Sequence, residues 1–295
     1  MKIGRWLILG ALLPWLVGCG TNSGVSDANL HAVAFGHGSF VAVGDGGEIV
    51  TSSNGSSWGQ QASGVNVDLL GATYAGNRFL VVGNSGMTLA SSDGTAWTAT
   101  TISSDVSFLG VAYGDGMFVV VGDKGLIYTS ANGTDWTSQT SGSTSRLEAI
   151  TFGGSMFMAV GDNGEILTSS DGASWSAASS GTNETLAGAH YGTNGYVVAG
   201  TRGVILQSSD AVSWLTVDTG ISRDLSAVGY AQGLFVVVGA SGTVLTSSDA
   251  TTFSLRTSGT SENLRGIAFG NNAFVAVGFS GTILNSDDGL TWTKA

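Results

Sequence analysis

The heptapeptide SSDGTAW at residues 91–97 follows a pattern that recurs along the chain. Residues 169–175 (SSDGASW) and 286–292 (SDDGLTW) show the same Ser-x-Asp-Gly-x-x-Trp pattern, and the first Ser recurs every 39 residues from Ser52 to Ser286. Asp is replaced by Asn in two copies, Gly by Ala in two, and Trp by Phe253 in one. One unit repeated at a fixed spacing of 20–50 residues indicates a repeat architecture, such as a solenoid or a propeller.

Each unit contains four segments with strand-like patterns. In the first unit we predict strands from Leu30 to Gly36, Phe40 to Gly44, Glu48 to Ser52 and Ser57 to Ala62, separated by Gly-rich turns. The second segment is a continuous apolar run, which favours burial on both faces. Four strands per ~40 residues, repeated seven times without insertion, predict an all-β, seven-bladed β-propeller with four antiparallel strands per 39-residue blade.

Two further expectations concern the centre of the ring and its closure. The third position of the unit is always small, which suits strands that crowd around an axis. Its occupants are Ala32, Gly71, Gly110, Ala149, Gly188, Ala227 and Gly266. Blade seven contains its own fourth strand near the end of the chain, so we expect the ring to close mainly by side-chain packing of blade one on blade seven, at a seam weaker than the other interfaces.

The overall composition excludes several protein classes. Gly contributes 47 of 295 residues, but a single Pro excludes collagen and a single Cys excludes an internal disulfide framework. A hydrophobic content of 42% argues against disorder. A net charge of −11 argues against nucleic acid as a partner, because phosphate binding needs a basic surface.

The first 18 residues are predicted to be a secretory signal peptide. Lys2 and Arg5 precede an apolar stretch from Trp6 to Val17, which is too short for the ~20 residues that span a bilayer. The following Cys19 comes after Leu-Val-Gly, which resembles the bacterial lipobox. That resemblance implies cleavage before Cys19 and attachment of lipid to it; an ordinary signal peptide with a chance Cys is the alternative.

The predicted domain organisation follows from this processing. Residues 1–18 are the lipoprotein signal peptide, residues 19–29 are the lipidated Cys and a polar, flexible tether, and residues 30–295 are the propeller. Gly20 stands where the inner-membrane retention signal has Asp, so we expect an anchor in the outer membrane of a bacterial envelope, on a side that the sequence leaves open.

The repeated heptapeptide resembles the Asp-box, also called the bacterial neuraminidase repeat, and the resemblance covers the whole predicted propeller. The family includes sialidases, other glycoside hydrolases, photosystem II assembly factors and non-catalytic lipoproteins, so the fold alone does not choose a function. The residues to which we assign a structural Asp-box role are Asp93, Asp171, Asp210, Asp249, Asp288, Trp58, Trp97, Trp136, Trp175, Trp214 and Trp292.

The expected role of the Asp-box is local. Its Asp or Asn accepts N–H bonds across its own turn, its Gly adopts a positive φ, and its Trp packs over the hairpin. The alternative, a set of calcium sites, needs 6–8 converging oxygens where each loop offers about two. No metal and no cofactor is therefore predicted.

In Asp-box propellers the ligand face lies opposite the boxes, on the turns between second and third strands and on the connectors between blades. The resemblance therefore places the following candidate contact residues on one face: His31, Lys124, Arg146, Glu148, Arg202, Arg223 and Arg265. A basic arc on an acidic body would select an anionic partner. The alternative is that these positions simply carry solvated surface charges.

No catalytic residue is assigned. The resemblance to sialidases implies a Tyr nucleophile, but Tyr74, Tyr113, Tyr191 and Tyr230 share one unit position with Phe residues, which is typical of packing. A hydrolase with two carboxylates stays open, using members of the set Glu148, Asp162 and Glu184. The uniformly short loops argue against a catalytic pocket.

We therefore expect an envelope-anchored lipoprotein that acts as a non-catalytic binding or scaffolding propeller for a protein or glycan partner. A sialidase-like glycoside hydrolase and, by resemblance, a membrane-complex assembly factor are the alternatives. A stable spacer without a specific ligand also remains open.

Overall fold

Seven separate four-stranded antiparallel sheets form the computed structural model, which describes residues 26–295. The predicted seven-bladed propeller is confirmed. The predicted signal peptide, Cys19 and the first part of the predicted tether lie outside the described residues. Within each blade the strands pair in chain order, so the first strand and the fourth strand form the two edges.

The strands follow the 39-residue unit. Blades one and two contain β1 Leu30–Gly36, β2 Ser39–Gly44, β3 Ile49–Ser52, β4 Gly59–Gln61, β5 Leu69–Ala75, β6 Arg78–Gly83, β7 Met87–Ser91 and β8 Thr98–Thr101. Blades three and four contain β9 Phe108–Gly114, β10 Met117–Gly122, β11 Ile127–Ser130, β12 Thr137–Gln139, β13 Leu147–Gly153, β14 Met156–Gly161, β15 Glu165–Ser169 and β16 Ser176–Ser179. Blades five to seven contain β17 Leu186–Gly192, β18 Gly195–Gly200, β19 Ile205–Ser208, β20 Leu215–Val217, β21 Leu225–Ala231, β22 Leu234–Gly239, β23 Val244–Ser247, β24 Ser254–Arg256, β25 Leu264–Gly270, β26 Ala273–Gly278, β27 Ile283–Ser286 and β28 Thr293–Lys294.

The outermost strand is shorter than the sequence predicts. We expected the fourth strand of blade one to start at Ser57, but β4 starts at Gly59. Ser57 and Trp58 belong to the turn of the repeated heptapeptide, which we call the Asp-box turn for its resemblance alone. In the described part of the chain the helical segments are three-residue 3-10 turns between second and third strands, as at Asp45–Gly47.

The first strands of all seven blades surround a central channel of about 180 Å³. Small residues are required there, as predicted, because neighbouring first strands touch. A Cβ added at Gly188 would lie 2.7 Å from Cα of Ala227 in the next blade. A Cβ added at Gly71 would lie 2.7 Å from the carbonyl oxygen of Leu109. These contacts are shorter than van der Waals separation, so larger side chains would push the blades apart.

Aromatic pairs fill the space between blades. The second strand of each blade is buried almost throughout, as its apolar run predicts. Phe79 of β6 packs against Tyr74 of β5, with ring centroids 4.7 Å apart, and the Tyr74 ring also covers Gly36 of blade one. Tyr113 and Phe118 repeat this pair in blade three. The Tyr residues at this position therefore pack in the core, as the sequence indicates.

Each Asp-box closes its own turn with side-chain hydrogen bonds. The buried hydroxyl of Ser91 accepts the N–H of Gly94 at 2.9 Å, and Oδ1 of Asp93 accepts the N–H of Thr95 at 2.8 Å. These N–H bonds, led by that of Thr95, lower the pKa of Asp93 to about 2. Trp97 donates its indole N–H to the carbonyl of Gly94 at 3.1 Å. One carboxylate oxygen of the box is thus occupied by backbone donors.

The other boxes share the bonds of the Asp or Asn side chain. Asn54 and Asn132 accept the equivalent N–H groups through Oδ1, and so do the Asp residues of the remaining copies. The indole N–H groups of Trp136 and Trp214 are buried without a partner among the described residues. Backbone N–H bonds hold the pKa of the exposed carboxyl below its ordinary value in Asp171, Asp210, Asp249 and Asp288. Ala211 and Ala250 replace Gly yet keep the positive φ, at 62° and 65°.

The change Ser91→Ala tests the structural role of the box. It removes the acceptor of the Gly94 N–H inside a buried turn, so we expect the free energy of unfolding to fall by about 1–3 kcal/mol. Urea unfolding followed by tryptophan fluorescence measures the loss. The matched control is the exposed neighbour in Ser92→Ala, for which we expect a change within about 0.5 kcal/mol. Equal effects of the two changes would contradict this role.

In blades two and six a backbone hydrogen bond ties the blade to the connector that leads to the next one. Gly86 in the turn of blade two donates its N–H to the carbonyl of Val106, in the connector to blade three. Gly242 in blade six donates in the same way to Glu262, at 2.8 Å. The turn between second and third strands is therefore fixed by the chain that crosses it.

The seam between blades seven and one has the same bond. Gly281 of blade seven donates its N–H to the carbonyl of Ala28, at 3.0 Å, and Ser280 donates its N–H to Oδ1 of Asn29, at 3.1 Å. Residues before β1 therefore occupy the place of a connector. Val33 of blade one also packs with Val275 of blade seven, so side-chain packing, as expected, joins this seam together with these hydrogen bonds. The last residues of the predicted tether are bonded to the ring.

Candidate functional site

One end of the central channel opens into a cavity of about 420 Å³, which we call the mouth. The second residue of every first strand forms its rim, and the strand-two to strand-three turns surround it. The rim residues, in blade order, are His31, Leu70, Leu109, Glu148, Ala187, Ser226 and Arg265. Arg146, Thr185, Thr201, Asp224 and Leu225 complete the lining. The Asp-box turns lie at the opposite ends of the strands.

The structure brings four of the seven sequence-predicted contact residues together at the mouth. They are His31, Arg146, Glu148 and Arg265. The other three lie on exposed turns and connectors at the same end of the ring, outside this lining. They are Lys124, Arg202 and Arg223.

Arg146 is held between two carboxylates of blades three and four. Its Nε lies 3.3 Å from Oδ1 of Asp123 and 3.4 Å from Oε1 of Glu148. The second carboxylate oxygen of Asp123 accepts the N–H of Ser107 at 2.9 Å. The Arg146 side chain is 46% exposed, so these pairs contribute little stability. Their effect is to position a guanidinium at the edge of the mouth.

Glu148 has an unusual environment for a carboxylate. Burial raises its pKa; Arg146 and Arg265 act against that shift, while Asp162 and Asp123 add to it. Burial disfavours the charged form, and nearby cations favour it. The net upward direction shows that burial is the larger effect.

Arg265 and His31 meet a side chain that the sequence analysis did not single out. The guanidinium carbon of Arg265 lies 4.9 Å from the ring centroid of Phe279, a cation–π arrangement. His31 meets the same ring edge-on, with centroids 6.3 Å apart. In the other blades the position of Phe279 holds Asp45, Asn84, Asp123, Asp162, Thr201 and Ala240. Comparing the seven units at this position would identify Phe279, because no other blade has an aromatic residue there.

His31 is fixed by the turn of its own blade. Its Nε2 donates to Oδ1 of Asp45, and the side-chain amide of Asn29 donates to Oδ2 of Asp45 at 2.7 Å. Burial works against ionisation of Asp45, yet these hydrogen bonds hold its pKa below the ordinary value. The hydrogen-bonded group of Asn29, Asp45 and His31 therefore connects the segment before β1 to the mouth.

Two cations at turn tips adopt a backbone conformation that favours Gly. Lys124 has φ of 57° and Arg202 has φ of 55°, a region that costs non-Gly residues roughly 1 kcal/mol or more. The Arg202 side chain is 77% exposed and its Nη1 lies 3.4 Å from Oε1 of Glu184. Both turns therefore carry their cations outward, beside the mouth.

Leu70 and Leu109 give blades two and three an apolar section of the rim. Both are half-buried and line the cavity. Sequence analysis passed over them because Leu within a strand is ordinarily a core residue, and only closure of the ring places it at an opening. The mouth thus combines an apolar section with a cationic and aromatic section at blades seven and one.

The carboxylates considered for hydrolysis are not equivalent. Glu148 lines the mouth. Asp162 accepts the hydroxyl of Thr185 at 3.0 Å, and Glu184 accepts that of Thr201 at 2.8 Å while pairing with Arg202. Asp162 and Glu184 are thus held in hydrogen bonds outside the lining of the mouth.

The change Arg146→Met tests the electrostatics of the mouth. It removes a cation that favours the ionised form of Glu148, so we expect the pKa of Glu148 to rise further above its ordinary value. An NMR titration of the Glu148 side-chain carboxyl measures the shift. Arg223→Met, which removes an exposed cation outside the mouth, is the control and should leave this pKa unchanged. A lower or unaltered pKa in Arg146→Met would contradict the assigned contact.

Comparisons with known proteins agree with the fold. The family described as the DUF6242 beta propeller domain matches residues 111–226. No curated protein matches the sequence. Within residues 26–295, no helix is both long and apolar enough to cross a membrane.

Three solved structures have similar architecture. A structure of YCF48 bound to D1 peptide is 17% identical, with 88% of this chain and 92% of that chain covered and a TM-score of 0.70. YCF48 from Cyanidioschyzon merolae is 19% identical, with coverages of 77% and 84% and a TM-score of 0.61. The WD40 beta propeller domain of Doa1 is 14% identical, with coverages of 89% and 93% and a TM-score of 0.71. At these identities the likeness shows the fold.

Proposed function

We propose that this protein is a lipid-anchored, non-catalytic binding propeller of the bacterial envelope, and that its mouth binds a segment of a partner protein. The observation that carries the proposal is the composition of the mouth. A single opening combines the Arg265–Phe279 pair, the apolar rim of Leu70 and Leu109, and the charged residues Arg146 and Glu148.

A peptide suits this opening better than a compact apolar ligand. The cavity of about 420 Å³ lies within the ~300–1,000 Å³ of small-molecule pockets, but its polar and apolar groups lie on different blades. A polypeptide segment can present a carboxylate to Arg265 and an apolar side chain to Leu70 and Leu109 together. A similar propeller has been solved bound to a peptide, which supports this class of ligand.

The anchoring part of the proposal rests on the sequence. The signal-like residues 1–18 and the lipobox-like residues before Cys19 support attachment to lipid, and Gly20 supports the outer membrane. The Asp-box proteins that this chain resembles include assembly factors. The bound segment would therefore belong to a protein that this propeller helps to hold or assemble.

Glycan hydrolysis is a second candidate, favoured by one observation. A carboxyl whose pKa is raised by burial is suited to act as a general acid, and Glu148 is such a group at the mouth. Loss of glycan turnover in Glu148→Gln would favour this candidate over peptide binding.

A site-specific cross-linking experiment tests peptide binding. A photo-reactive amino acid replaces Leu109 at the mouth or Ala173 on an exposed Asp-box turn of full-length protein in native envelopes. We expect a protein adduct from position 109 and none of the same mass from position 173. Arg265→Glu should reduce the adduct roughly tenfold or more, because it reverses a central charge.

The matched control is Lys294→Glu, the same charge change on the exposed outer strand β28. It should leave the adduct from position 109 unchanged. Equal adducts from both faces, or an adduct that survives Arg265→Glu, would remove the mouth as the binding site.

A further inference from the structure

The chain enters the ring at the mouth end. Ala28 accepts the N–H of Gly281 through its carbonyl, and Asn29 accepts the N–H of Ser280 and donates to Asp45. Gly281 and Ser280 belong to the second-to-third-strand turn of blade seven, which lies beside the mouth. The segment before β1 therefore crosses the mouth end of blade seven, and its entry point is fixed there by three hydrogen bonds.

Few residues separate this entry point from the lipid site. Seven residue steps lie between Cys19 and Ser26. An extended chain spans at most about 3.6 Å per residue, so the lipidated sulfur lies within about 25 Å of Ser26. The first strands, such as Leu30–Gly36 with seven residues, separate the two faces of the ring by roughly 20 Å. The tether would have to be almost fully extended along the outside of blade seven to bring the Asp-box turns to the bilayer.

The charges at the mouth end argue against tight contact with anionic headgroups. The five cations there are outnumbered by carboxylates on the same turns and connectors, including Asp45, Asp123, Asp162, Glu184, Asp224 and Glu262. Attraction to the bilayer would therefore come from the lipid alone, without tight contact between mouth and headgroups. A polypeptide segment at the membrane surface would then have room to reach the mouth.

From this geometry we infer that the mouth is the membrane-proximal face, and that its ligand is a segment of a protein which is itself held at the bilayer surface. The inference rests on the lipid anchor of the proposed function. It adds the orientation of the ring and the location of the partner. A membrane-held partner also gains from a high effective concentration, because both molecules are confined to one surface.

The orientation is measured with two labels on the same blade. Asn163→Cys lies on the exposed mouth-end turn of blade four, and Ala173→Cys lies on its exposed Asp-box turn. Full-length lipidated protein carrying a fluorophore at either site is bound to phosphatidylethanolamine and phosphatidylglycerol vesicles with an energy acceptor on the headgroups. We expect higher transfer efficiency from position 163. Equal or higher transfer from position 173 would overturn the inference.

Two further results separate the orientation from the anchor. Mass spectrometry shows whether Cys19 carries lipid, and Cys19→Ala should abolish vesicle binding. Unmodified Cys19 in the wild type would overturn the anchor and the inference together. If the lipidated protein binds vesicles and position 173 lies nearer to the headgroups than position 163, the orientation alone would be overturned.

Tether length tests the location of the partner. Inserting about 20 Gly/Ser residues after Asn22 should reduce the difference between the two labels, because either face can then approach the bilayer. The cross-linked adduct from position 109 should stay in the membrane fraction and fall in yield several-fold, because the effective concentration falls with tether length. An unchanged yield, or an adduct confined to soluble proteins, would overturn a membrane-held partner.

Discussion

The ring depends on hydrogen bonds from the turn between the second and third strands of a blade to the connector that crosses it. The acceptor is a main-chain carbonyl in blades two, six and seven, and a connector side chain in blades one, five, six and seven. The seven sheets share no strand pairing with one another, so side-chain packing and these connector bonds hold them in register. Gly86 and Gly242 make the bond to a connector that continues directly into the next blade. At the seam the donor is Gly281, and the acceptor comes from the other end of the chain, Ala28. The segment before β1 therefore has a structural role in addition to any anchoring role.

The same repetition explains where function can arise. Positions that every blade needs, such as the small residues of the first strand and the Ser and Asp of the box, leave little freedom for chemistry. The mouth differs because the rim position and the following turn vary from blade to blade. The same unit position holds Arg265 in blade seven, Glu148 in blade four and Leu109 in blade three. Phe279 lies in the turn of blade seven, where its ring meets Arg265. Variation imposed on a symmetric scaffold thus produces one asymmetric opening, suited to a partner with separate charged and apolar groups.

The fold was predictable from sequence because each repeat adds independent support for the same four-strand unit, and the local bonds of Asp93 follow from its spacing to Ser91. The mouth was predictable only in part. His31, Arg146, Glu148 and Arg265 were found from their place in the unit, whereas Phe279 was passed over although the other six units have no aromatic residue at its position. Leu70 and Leu109 required the closed ring, since strand patterns do not distinguish a rim from a core. The bonded state of Asn29 was missed because polar residues before a first strand resemble a free linker.

Amide hydrogen exchange at Gly281 is the most direct test of closure by the segment before β1. If Ala28 accepts this N–H in solution, Gly281 should exchange about as slowly as Gly242, which makes the equivalent bond to a covalently continuous connector. The account predicts protection of the two amides within about tenfold, which corresponds to ~1.4 kcal/mol in opening free energy. Exchange of Gly281 at the rate of an unstructured chain, beside a protected Gly242, would contradict it.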